Sequence, residues 1–149
     1  IKKGRIDRIY YALVKGVVKT DWGQIDLAIS GRSGIRKVNP GGKNALTEYH
    51  TLKRFNNASL LEIKLQTGRT HQIRIHLSAI GHPIYGDWQY GVKTALIKRP
   101  ALHAGKLVFQ KSAFNVPDLQ AAWPKDFQKL LEGLEQDSQT NSSPSKVKV

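Results

Sequence analysis

LLEIKLQTGRTHQIRIHLSAIGHP, residues 60–83, changes its hydrophobic period partway along. Leu61, Ile63 and Leu65 alternate with Leu60, Glu62 and Lys64, the period of a strand. Thr67-Gly68 breaks it. Ile73, Leu77 and Ile80 then recur at i, i+4 and i+7, the buried stripe of a short helix, with Thr70 as the expected N-cap and Gly81 and Pro83 as the stop. The junction is crowded with hydrogen-bond donors. Arg69 stands just before the helix, where the dipole disfavours a cation by roughly 0.3–1 kcal/mol. Its position makes sense if it and the free backbone N–H groups converge on one anion, a carboxylate or a phosphate. Arg74 lies about 140° further round the helix, placed for a partner inside the site or for a phosphate outside it. His71 and His76 are five residues apart, not the four of a helical metal pair, so they read as structural histidines and no metal is expected.

On either side of this block the chain continues as strands with few helices. IDRIYYALVKG (6–16) is a strand that puts Tyr10, Ala12 and Val14 on one face and Tyr11 and Leu13 on the other. QIDLAI (24–29) and ALTEYHTLKRF (45–55) read as further strands. Between them SGRSGIRKVNPGGK is a basic, glycine-rich loop in which Arg32, Arg36, Lys37 and Lys43 are candidates for contact with a polyanion. HPIYGDWQYG (82–91) is loop and ALHAGKLVFQ (101–110) strand. PKDFQKLLEGL is a helix with Pro124 in its first turn and Phe127, Leu130, Leu131 and Leu134 on its apolar face. From about 135 the chain turns polar and reads as a disordered tail, 135–149. The expected fold is α+β, a mixed and largely antiparallel sheet with a few packed helices, in one domain over 1–134.

The 149 residues carry 24 Lys and Arg against 11 Asp and Glu, a net +13 that points to a polyanionic partner. Without cysteine there is neither a disulfide nor a thiolate zinc site. No apolar run approaches the roughly 20 residues of a membrane span, and IKKGRIDRIY has no leader pattern. The expectation is a cytoplasmic monomer with no membrane partner.

Residues 67–91, TGRTHQIRIHLSAIGHPIYGDWQYG, resemble the signature of the RluA-type RNA pseudouridine synthases. Four more segments agree in order. RIYYALVKG is similar to their K/R-x-Y-x-A-L-V-x-G strand, GKNALTEYHTL to their G-K-x-A-x-T-x-Y segment, RPALHAGKLVF to their R-x-x-LHA-x-x-L-x-F segment, and AWPKDFQKLL to their closing P-x-D-F. QKS at 110–112 departs from the His-Pro pair of many relatives. The resemblance spans about 6–134.

It implies isomerisation of uridine to pseudouridine in RNA, with ribosomal RNA preferred over transfer RNA and no metal or organic cofactor. It implies that Tyr10 is the active-site tyrosine, stacking on the flipped base and helping to remove its C5 proton. It implies that Arg69 pairs with the nucleophilic aspartate, leaving Arg74 to RNA backbone or structural contacts. The family's aspartate lies in an HRLD-type motif that these residues lack, so it is expected before Ile1, and this chain is expected to be the C-terminal part of the catalytic domain. Two other readings remain: a non-catalytic RNA-binding protein on the same scaffold, and a metal-free ribonuclease using His71 and His76 as acid and base.

Overall fold

The computed structural model describes residues 6–32, 36–109 and 117–142. The strands are β1 (Ile6–Lys15), β2 (Trp22–Asp26), β3 (Ile29–Ser30), β4 (Lys37–Val38), β5 (Leu46–Arg54), β6 (Ala58–Leu65), β7 (Leu102–Phe109) and β8 (Leu119–Gln120). The helices are α1 (Gln72–Ala79) and α2 (Lys125–Ser142). Six strands form one sheet in the order β2-β5-β6-β1-β7-β8, and every ladder in it is antiparallel. The expected α+β class holds. The parallel component is reduced to an isolated bridge between Tyr85 and Val92. The small β3–β4 pair stands apart.

The period-2 pattern of β1 decides which helix meets which face. Tyr11 packs against Trp123, 5.1 Å between ring centroids, and Trp123 meets Phe127 of α2 edge-on. Phe127 and Leu130 are fully buried there, each contributing about 1.5–3 kcal/mol by leaving water. On the opposite face Ile73 and Leu77 of α1 enter the same core. The other side of α1 sends Ile75 into a small cluster with Ile29 and Ala45, so this short helix is wedged between the sheet and the β3–β4 hairpin.

Two sequence expectations need correction. The N-cap of α1 is His71, not Thr70, and it adopts a left-handed backbone, φ 57°, with no side-chain cap. Gln72 does the work of a cap from inside the helix. Its Oε1 accepts from Arg69 N–H and from the Thr67 hydroxyl, and its Nε2 donates to Leu46 O and Thr47 Oγ1. The second correction is the tail. α2 runs to Ser142, because the β5–β6 region gives its polar end partners: Lys53 pairs with Glu135 at 2.7 Å and Asn56 N–H donates to Ser138 Oγ. Residues 143–149 and the QKS departure lie outside the described residues.

Two buried polar arrangements hold α1 in place. His76 is fully buried, with Nε2 at 2.8 Å from Leu27 O and Nδ1 at 2.8 Å from Thr47 Oγ1. A carbonyl can only accept, so Nε2 carries the proton and Nδ1 accepts from the hydroxyl. Arg74 donates through Nε and a terminal nitrogen to the two oxygens of Asp87, both at 2.8 Å. Asp87 is wholly buried and also accepts from the backbone N–H of Gln89 and Tyr90, which shapes the loop after α1. Burial alone would raise the Asp87 pKa; the Arg74 and backbone hydrogen bonds outweigh it and hold the carboxyl below its usual range.

Arg74→Ala strands that carboxylate and should cost about 3 kcal/mol, with Arg74→Lys recovering only part because it cannot make the two-pronged contact. Urea denaturation midpoints measure both, and a neutral Arg74→Ala would contradict the assignment. Burial also lowers the His76 pKa below the ordinary imidazole value of about 6.5. The unfolded chain therefore binds more protons than the native one at acid pH. Stability should fall as pH drops through about 6.5 and keep falling to the native-state pKa. A His76→Gln variant should show a shallower midpoint-against-pH slope between pH 7 and pH 5 than the parent, as His71, also lowered by burial, titrates in both.

Candidate active site

Tyr10 and Arg69 come from distant parts of the chain to one cavity of about 280 Å³, shared with Arg8, His71 and Arg74. β1 contributes Arg8 and Tyr10 by its alternation, and the turn from β6 into α1 contributes Gly68, Arg69 and His71. The β1–β7 register slips between Ile9 and Tyr10: Ile9 opposes Lys106, whereas Tyr10 opposes Ala104, leaving Gly105 as the extra residue. Such a bulge re-aims the side chains beside it. Gly105 is obligatory, since a Cβ there would sit 2.7 Å from the Tyr11 ring.

Tyr10 is half-buried on the α1 face, and Tyr11 is buried on the α2 face, where desolvation first and Glu62 second raise its pKa. The alternation read from the sequence thus separates the two tyrosines. Asp7 falls on Tyr11's side, buried and 3.2 Å from Lys64 Nζ, and so does not face Arg69.

Arg69 is exposed and held at its base. Its Nε donates to Asn44 O at 2.8 Å, and its backbone N–H to Gln72. Among the described residues no carboxylate pairs with it. Arg74 differs. Its guanidinium is committed to Asp87 and lies over the Tyr90 ring, 4.9 Å from the centroid. Arg74 thus makes the structural contact that was one of the two expected of it, and it also borders the Tyr10 cavity. Tyr90 continues the chain, its hydroxyl 3.1 Å from Nδ1 of the left-handed His71. Backbone strain of this kind is kept only where surrounding contacts enforce it.

Both nitrogens of buried His76 are engaged, so it cannot act as the acid or base of a ribonuclease. Among the described residues no three His, Asp or Glu side chains gather as a metal site. Arg36 and Lys43 of the basic loop face a second cavity beside Arg69, whereas the exposed Arg32 and Lys37 lie outside it. Arg8 was not singled out from the sequence. The signal was present, because the spacing that assigns Tyr10 to its face assigns Arg8 to the same one.

The comparisons with known proteins identify the family. Residues 1–79 match the family model described as RNA pseudouridylate synthase. An uncharacterized RNA pseudouridine synthase of Bacillus subtilis, YlyB, is 41% identical over 134 residues, covering 87% of this chain and 44% of its own length. Ribosomal large subunit pseudouridine synthase D of Haemophilus ducreyi is 36% identical over 157 residues, 93% of this chain and 48% of its own. The chain thus spans under half the length of these curated relatives. Among solved structures, human RNA pseudouridylate synthase domain containing 1 superimposes with a TM-score of 0.69 at 26% identity, covering 94% of this chain and 67% of that one. The matched family model covers more than half of the residues, and the fold agrees: the chain belongs to the RNA pseudouridylate synthase family.

Proposed function

We propose that the protein isomerises uridines in RNA to pseudouridine and that this chain supplies the Tyr10 and Arg69 side of the active site. The observation that carries the reading is the convergence of Tyr10 and Arg69 on one cavity with a wall of arginines. In the reaction the N1–C1′ bond of uridine breaks, a C5–C1′ bond forms, C5 loses its proton and N1 gains one. Tyr10 is placed to stack on the extruded base and assist at C5; a base inside a helical stack is out of reach of such a site. Arg69, anchored through Asn44 and Gln72, is placed to orient a carboxylate nucleophile and keep it ionised. We place that aspartate on a segment preceding Ile1 in the full-length protein. Ribosomal RNA is the favoured substrate class, supported by the name of the Haemophilus ducreyi relative. The net +13 supports backbone-dominated RNA binding.

In the full-length protein Arg69→Ala should abolish turnover while leaving RNA affinity within a few-fold; near-normal turnover would exclude its role. Tyr10→Phe should keep stacking and affinity but slow or stop tritium release from C5-labelled uridine in RNA. Tyr11→Phe should retain turnover and lose at most about 1 kcal/mol of stability with the buried hydroxyl. If Tyr11→Phe is the inactive variant, the strand faces are assigned the wrong way round.

A further inference from the structure

Arg69 lines two cavities. Beyond the one at Tyr10, the turn Gly68–Arg69–Thr70 forms a wall of a polar cavity of about 590 Å³, closed on its other sides by Ile29–Gly31, Arg36 and Gly41–Lys43. Arg36, Lys43 and Arg69 all line it, and among the described residues no carboxylate does. This contrasts with Arg54, Arg74 and Arg99, each paired with an aspartate. Arg36 and Arg69 are instead pinned by backbone carbonyls, Gly31 O at 3.3 Å and Asn44 O at 2.8 Å, which fixes each guanidinium and leaves donors over.

The wall is preformed. Ile29 and Lys43 exchange both backbone hydrogen bonds, at 2.9 and 3.0 Å, and Asn39 ties the turn through Ala28 O and its own side chain to Gly41. Gly42 lies so flat on β3 that a Cβ would fall 2.5 Å from the Ile29 carbonyl. No side chain can therefore fill the space from that position. Arg36 and Lys43 beside Arg69, with no carboxylate among the described lining residues, give this cavity a lining suited to an anion. The cavity exceeds what a single small anion would fill, and it abuts the Tyr10 cavity along Gly68 and Arg69.

We propose that this second cavity holds the RNA phosphate next to the target uridine, with Arg36 and Lys43 as its donors and Arg69 at its border with the Tyr10 cavity. The assignment rests on the pseudouridine synthase reading and sharpens it. The strand crosses at Gly68, the base enters on the Tyr10 side, and its neighbouring phosphate seats on the other. The basic loop is divided accordingly. Arg36 and Lys43 read one defined phosphate, whereas Arg32 and Lys37 are outside the site.

The test uses full-length protein and RNA from cells lacking the gene. The pseudouridine made by the parent protein is located first. The same RNA is then ethylated at phosphates, and positions whose ethylation blocks binding are mapped. One phosphate within about two nucleotides of the modified uridine should interfere strongly, since charge-assisted contacts gather there. It should vanish from the map of the Arg36→Gln/Lys43→Gln double variant and persist for Arg32→Gln/Lys37→Gln. The Arg36→Gln/Lys43→Gln variant should raise KM about tenfold or more, a larger effect than on kcat, and flatten the log–log salt dependence of binding by about 0.7, one contact rather than two. Pseudouridine formation with an unchanged map near the site would overturn this inference alone. No pseudouridine from the parent protein would overturn the functional reading and this inference together.

Discussion

The side-chain amide of Gln72 is the tie on which the site depends. It is 2% exposed, and all four of its hydrogen-bonding positions are filled. Its oxygen gathers the Thr67 hydroxyl and the Arg69 N–H; its nitrogen reaches Leu46 and Thr47 on β5. Thr47 passes the chain on to His76, and His76 to Leu27. One buried polar thread thus joins the Thr67–Arg69 turn, the helix and two neighbouring segments. In a low-dielectric interior such a thread is unforgiving, because a missing member leaves its neighbour unpaired. It explains why so polar a sequence, QTGRTHQIRIH, can sit at the centre of a fold. Arg69, exposed beyond the thread, keeps donors free.

The arginines divide between two uses by what surrounds them rather than by where they fall in the sequence. Arg74 and Arg69 belong to the same short stretch. One is held to a fully buried aspartate and fixes the loop after α1; the other leans on a carbonyl and faces open cavities. The net positive charge is therefore not one uniform surface. Part of it is paired with aspartates, as at Arg54, Arg74 and Arg99, and Arg36, Lys43 and Arg69 line one cavity beside Gly68.

Much of this was legible in the sequence, for physical reasons. Strand alternation is strict, so the opposite faces of Tyr10 and Tyr11 followed from spacing alone, and Ile73 and Leu77 marked the buried side of α1. What escaped depended on contacts between distant residues. Thr70 has the right chemistry for an N-cap, but a glutamine inside the helix satisfied the turn instead and His71 took the left-handed position. The polar end of α2 resembles a tail until Lys53, Asn56 and their partners are brought alongside it. The Arg74–Asp87 pair likewise exists only once the loop has folded back. Local pattern reports periodicity; it does not report which polar side chain will find a partner.

The strand order has a consequence for how the molecule is made. β1 is interior to the sheet, between β6 and β7. During synthesis β6 follows it and can pair early, but β7 emerges only after α1 and the long loop behind it. Until then one hydrogen-bonding edge of an apolar interior strand stays open. An open edge is a template for another nascent chain, and distant pairings close slowly. Folding yield should thus depend on chain concentration and on how fast the ribosome delivers β7.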